Sequence, residues 1–259
     1  MRRFGIRWIG VALVAALIVG LAPSGAALAQ ETAALSDQQV RERLDFIQGV
    51  LHEAQPRART WLYGWVAAYS AGAVGMGILA GSHWHDTKLE GAEPVKDREF
   101  AEGMLVGGAT FALGVGGMLI NPFVPASAAK KMGALAENTP EERRAKLEKA
   151  EELLRRCARR EASGRSLATH LLNIGANAAG AVVTKAGFHQ SWGNALISFA
   201  TGEAVSLLNI FTQPTRAIRD LNNYEVKYLG KKGTYAGSPA ERVWTLGVWP
   251  GGISFRLEF

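Results

Sequence analysis

The sequence predicts a mainly α-helical chain. Helical hairpins, about five to six helices after a signal peptide, are closed by a short C-terminal β-hairpin. Three observations predict it. Two uncharged stretches, 26 residues over Thr60–His85 and 27 over Gly103–Ala129, are far longer than a strand. Helix-start motifs stand at Ser36 and Thr139. Strict apolar alternation enters only in the last part of the chain. The 259 residues are 48% hydrophobic and 20% charged, enough to build a core, which excludes a disordered chain. A single cysteine, Cys157, excludes an internal disulfide and a Cys-based zinc finger.

Residues 1–29 read as a cleaved signal peptide. Three arginines precede residue 8, 15 uncharged and mostly apolar residues run from Trp8 to Ala22, and Ala27-Leu28-Ala29 offers a small-residue cleavage site before Gln30. Removing this segment lowers the charge excess from +6 to +3 and takes the protein away from chromosomal DNA, so no nucleic-acid partner is expected.

The helical domain is expected over 30–222. Ser36-Asp37-Gln38-Gln39 is a capping box, and Val40, Leu44, Ile47 and Leu51 form one apolar stripe on a helix to about Ala54. Pro56 is expected to restart the chain as a second helix, whose partner follows a polar loop at 82–99 and ends near Asn121-Pro122. Gly77-x-x-x-Gly81 and Gly103-x-x-x-Gly107 suit close approach of those two helices, giving a hairpin over 57–122. Thr139-Pro140-Glu141-Glu142 opens an amphipathic basic helix at 139–163, with Leu147, Ala150, Leu154 and Cys157 as its apolar seam. Its charged face suits solvent or an anionic membrane surface.

A second hairpin occupies 166–212. His170, Asn173 and Asn177 share one helical face, and Asn194 and Ser198 recur on the next helix. These amides and hydroxyls either satisfy one another across the hairpin or line a ligand groove. Glu203 is an acid on an apolar stripe with Leu196, Phe199, Leu207 and Ile210. It pairs with a base such as Lys185, reaches solvent, or occupies a cavity.

From 223 to 259 a β-hairpin element is expected. Tyr224–Tyr228 alternates, Pro250-Gly251-Gly252 turns, and Ile253, Phe255, Leu257 and Phe259 make one apolar face. This terminus resembles the C-terminal β-signal of bacterial outer-membrane proteins, which implies the outer membrane or its assembly machinery. Nothing upstream supplies the strands of a barrel.

Both uncharged stretches exceed the roughly 20 residues of a membrane span. The charge pattern opposes the ordinary topology. With residue 30 outside, the loop at 82–99 would be cytoplasmic, yet it holds five acids and three bases, whereas 126–165 holds eleven bases and seven acids. A compact exported bundle whose apolar helices bury each other is the alternative.

His83, His85 and Asp86 are the one cluster resembling metal ligands, and a third protein ligand such as His52, Glu90 or His170 would complete it. No Ser-His-Asp spacing, GxSxG, P-loop or dinucleotide fingerprint is present, and no cofactor is expected. The expected function is that of a non-enzymatic, exported cell-envelope protein, periplasmic or membrane-associated, with membrane lipid or envelope proteins as partners. Cys157 offers a cross-link in a homo-oligomer. The alternatives are a binding protein holding a lipid between the hairpins and a metal-dependent enzyme at His83/His85.

Overall fold

In the computed structural model, which describes residues 35–90, 93–231, 243–249 and 252–258, the chain is mainly helical. The expected signal peptide lies outside the described residues. The capping box forms as its spacing requires: Ser36 N donates to Gln39 Oε1 at 2.9 Å, and Gln39 N returns a bond to Ser36 Oγ at 3.3 Å. From it runs α1, Asp37–Ser82, a single helix of 46 residues. The expected restart at Pro56 is therefore corrected. Proline removes one backbone donor, and packing on either side holds the helix together: Leu51, Ala54, Ala58 and Trp61 are all buried.

The polar loop expected at 82–99 contains a short antiparallel pair, β1 (Thr87–Glu90) and β2 (Glu93–Lys96), with Thr87 opposite Lys96. The bond from Asp97 N to Asp86 O, 2.8 Å, closes its open end. Then follow α2 (Glu99–Ile120), α3 (Pro125–Gly133), α4 (Pro140–Gly164) and α5 (Leu167–Val182). A five-residue π-helical turn, Val183–Gly187, extends α5, and α6 (Trp192–Thr212) and α7 (Arg216–Leu229) complete the helices.

The alternation at 224–228, expected to begin a β element, is corrected to helix. Ala217, Leu221, Tyr224 and Glu225 recur at helical spacing and are buried together on α7. Gly230, at φ +59°, supplies the left-handed residue that ends it. Farther on, the backbone of β3 (Val243–Trp249) pairs antiparallel with that of β4 (Gly252–Glu258). The apolar face expected of Ile253, Phe255, Leu257 and Phe259 lies outside the described side chains.

The chain divides into two compact units. One comprises Ala58–Phe123 and Ser163–Gln213; the other comprises Ser36–Arg57, Val124–Ala162 and the residues from Pro214 on. The second, unit 2, has a conventional core. The stripe Val40, Leu44, Ile47 and Leu51 and the seam Leu147, Ala150, Leu154 and Cys157 are all buried, with Met132, Leu221 and Tyr224. Each buried Leu or Ile contributes about 1.5–3 kcal/mol of apolar transfer. Two polar devices fix it. Glu142 accepts from Thr139 N at 3.2 Å while Glu142 N donates to Thr139 Oγ1 at 3.1 Å, completing the predicted box on α4. In the interior, Tyr224 OH donates to Glu151, whose carboxylate also faces Arg43 at 3.7 Å and Arg155 at 3.2 Å. Two guanidinium groups thus neutralise, and a phenol hydrogen-bonds, an acid that would otherwise be costly to bury.

Candidate functional site

Unit 1, the Ala58–Phe123 and Ser163–Gln213 body, has the opposite polarity. Ile78, Leu113, Leu119, Leu172 and Ile197 are each between 64% and 69% exposed, while Asn177, Thr184, Gln190 and Gln213 are at most 5% exposed. Three helical stretches are long and apolar enough to cross a membrane by length and composition: Asp37–Ser82, Glu99–Gly133 and Trp192–Leu229. Only 0%, 11% and 11% of their most apolar windows are buried. An apolar outside around a polar inside inverts the pattern of a water-soluble bundle.

Glycines let α1 and α2 approach, at only some of the positions expected. A Cβ on Gly107 would lie 2.6 Å from Met76 Sδ, and one on Gly72 2.9 Å from the Phe111 ring, whereas Gly77, Gly81 and Gly103 have open space at that position. Of the two expected small-residue pairs, only Gly107 faces a side chain of the partner helix.

The polar interior centres on the α5–α6 hairpin. Ser166 caps α5 and Ser191 caps α6, each side chain accepting from the backbone N–H three residues on. Asn177 stands at the middle of α5 with its π-helical extension, and Glu203 at the middle of α6. Asn177 Nδ2 donates to Glu203 Oε1 at 2.7 Å and to Ser206 Oγ at 3.2 Å. Gly202 makes room for this: a Cβ there would lie 2.3 Å from Asn177 Oδ1. Asn177 is buried and Glu203 and Ser206 are half-buried.

A second polar layer closes the hairpin beside its connection. Gln190 Nε2 donates to the Glu99 carbonyl at 2.8 Å and to Glu102 Oε2 at 3.2 Å. Asn194 Nδ2 donates to Gln190 Oε1 and, at 3.4 Å, to Glu99 Oε2. Lys185, expected as a partner for Glu203, instead donates to the Gln190 carbonyl at 3.0 Å. At the opposite end, the indoles of Trp61 and Trp65 both donate to Thr212 Oγ1.

Of the predicted polar seam, the structure joins Asn177 to Glu203 and places Asn194 in the layer beside the connection. His170, Asn173 and Ser198 are half-buried on the same helices and are not part of the Asn177–Glu203–Ser206 contact. Sequence reasoning missed Ser206, Gly202 and Gln190. Ser206 was findable, one turn beyond Glu203; Gln190 lies between helices and carries no periodic signal.

His83, His85 and Asp86 line an open recess of about 520 Å³ with Thr87, Asp97 and Phe100. His83 Nδ1 lies 2.5 Å from Asp86 Oδ2, and Lys88 lies 4.0 Å from Asp97. Among the described residues no group of three or more His, Cys, Asp or Glu side chains is placed to hold a metal ion. The His83 imidazole and the Asp86 carboxylate instead bond to each other.

Cys157 is buried in unit 2, where burial and then Glu161 push its thiol up to about 12. A cross-link between copies through it would need that core to open. The chain matches no protein-family model, no curated protein and no solved structure.

Proposed function

We propose that this chain is an integral membrane protein of the cell envelope, non-enzymatic, with unit 1 spanning the bilayer as four helical segments. The observation that carries this reading is the inverted polarity of unit 1. Lengths support it. The 22 residues of α2 and the 21 of α6 reach about 30 Å at 1.5 Å per residue, the thickness of a hydrocarbon core. The 16 residues of α5 match that length once the five-residue π turn is added. Trp61 and Trp65 beside Thr212 suit the headgroup level at one end.

The apolar surface lies outside the unit, where lipid would meet it. A single apolar ligand between the hairpins would require it inside, where Asn177, Glu203 and Gln190 stand instead. Membrane lipid and other envelope proteins are the natural partners, and export by the signal at 1–29 with a C-terminal β-hairpin completes the proposal.

Carbonate extraction tests it. Membranes from cells expressing the full chain are washed at alkaline pH, then solubilised in mild detergent. Retention through the wash with release by detergent is expected. Recovery in the carbonate supernatant would remove the reading.

A further inference from the structure

We infer that Glu203 forms, with Asn177 and Ser206, a proton-binding site in the middle of the bilayer. This rests on the membrane-spanning reading of unit 1. Glu203 is nine residues from Thr212, the last residue of α6, and eleven from Trp192, the first, so on a spanning helix it lies near the midplane, about 13–16 Å from either end. An ionised carboxylate there costs several kcal/mol unless something neutralises it.

The partner of Glu203 is a neutral dipole, and among the described residues no ion pair includes it. Asn177 Nδ2 donates to Oε1, and Ser206 Oγ lies on the same amide. The ion pairs His83–Asp86 and Lys88–Asp97 lie in the 83–98 connection, and neither includes Glu203. The titratable groups on the elements of the unit are elsewhere. Lys185 is eight residues beyond Asn177 and bonded to the Gln190 carbonyl, and His170 is seven residues before Asn177, each about 10–12 Å along the helix. Glu99 and Glu102 on α2 are tied to Asn194 and Gln190, and Tyr69 on α1 packs against Phe111 and Gly114.

A cation must therefore come from outside the protein. A metal ion is poorly served: the partner of Oε1, Asn177 Nδ2, is an N–H donor, and among the described residues no group of three or more His, Cys, Asp or Glu side chains is placed to hold an ion. A proton needs only one free carboxyl oxygen. With Oε1 engaged by Asn177, Oε2 can carry it. Gly202 is what lets Asn177 come this close, and Asn177 is a positioning residue for the carboxyl.

Hydrophobic carbodiimides react with protonated carboxyl groups inside the bilayer and water-soluble ones do not reach them. Native membranes containing the full chain are treated with dicyclohexylcarbodiimide, and modification is located by peptide mass spectrometry. Glu203 is expected to be modified, less so as pH rises, equally in NaCl and in choline chloride, and little by a water-soluble carbodiimide. The isosteric Glu203→Gln, which keeps an acceptor for Asn177, abolishes labelling of that peptide. Absence of modification at Glu203 in carbonate-resistant protein would overturn the proton site while leaving the membrane reading intact. Protection by NaCl would replace the proton with a metal ion and equally overturn it. Release of the protein by carbonate would end both.

Discussion

Gly202 shows how one missing Cβ decides a contact. In a helix, Gly→Ala ordinarily gains about 1 kcal/mol. At 202 the added carbon would lie 2.3 Å from Asn177 Oδ1, so Asn177 must swing off Glu203 or the helices must part. We expect Gly202→Ala to lose about 1–3 kcal/mol in detergent unfolding, the cost of overpacking and a broken bond between Asn177 and the Glu203 carboxyl. Gly116, with open space at its Cβ position, is the control, and Gly116→Ala should be neutral or stabilising. Equal stability of the two variants would refute the role given to Gly202. Cys157 makes a second prediction in unit 2. Its thiol is pushed from 9.0 to about 12, and burial raises Tyr224 as well, aided by its bond to Glu151. Both groups stay neutral in the folded state at pH values where the unfolded chain releases protons. The unfolded state therefore binds fewer protons, and stability falls as pH rises from 9 toward 12, by about 1.4 kcal/mol per unit for each fully ionising group. Denaturant titrations across that range should show the decline, and Cys157→Ala should flatten it; an unchanged slope would count against the buried thiol. Single residues of this kind were half legible. Asn177 and Glu203 were visible as polar positions at helical spacing, but which of them meet depends on the register of two helices, which no local pattern encodes.

At the scale of elements, periodicity was the reliable signal and punctuation the unreliable one. The stripe Val40, Leu44, Ile47, Leu51 and the box Thr139–Glu142 each rest on several residues that agree, and both form as read. Pro56 is a single residue, and one lost hydrogen bond is outweighed by burial of Leu51, Ala54, Ala58 and Trp61 along the same helix. Five alternating residues at 224–228 were equally compatible with a helix, since Leu221, Tyr224 and Tyr228 also share one helical face. The Pro56 result is testable. Because the proline costs α1 a backbone bond, up to about 3 kcal/mol in an isolated helix interior, Pro56→Ala should raise the unfolding midpoint. A lower midpoint would mean that the helix depends on the bend proline gives it.

For the whole molecule, polarity matters more than composition. A moderate 48% hydrophobic content conceals two opposite arrangements: unit 2 buries its Leu and Ile, and unit 1 displays them. Under the proposed reading, four crossings in unit 1 place the connection at 83–98 in one compartment and the ends near 121 and 163 in the other. Two sequence signals then disagree about which is which. The eleven bases of 126–165 favour keeping 121 and 163 inside, whereas the basic segment before residue 8 would insert first and place residue 35 outside. The first segment usually dominates, because later helices enter a topology already begun. In a Cys157→Ala background, single cysteines at Lys88→Cys, Asn121→Cys and Ser163→Cys can be probed with a membrane-impermeant maleimide on intact cells or spheroplasts. Labelling of the variants at 121 and 163, with the one at 88 reacting only after permeabilisation, is the expected pattern. The reverse pattern would mean that the bases of 126–165 set the orientation, and the reading of residues 1–29 as an export signal would fall. Equal labelling of all three before permeabilisation would leave unit 1 with no bilayer to cross, and its exposed leucines would need another partner.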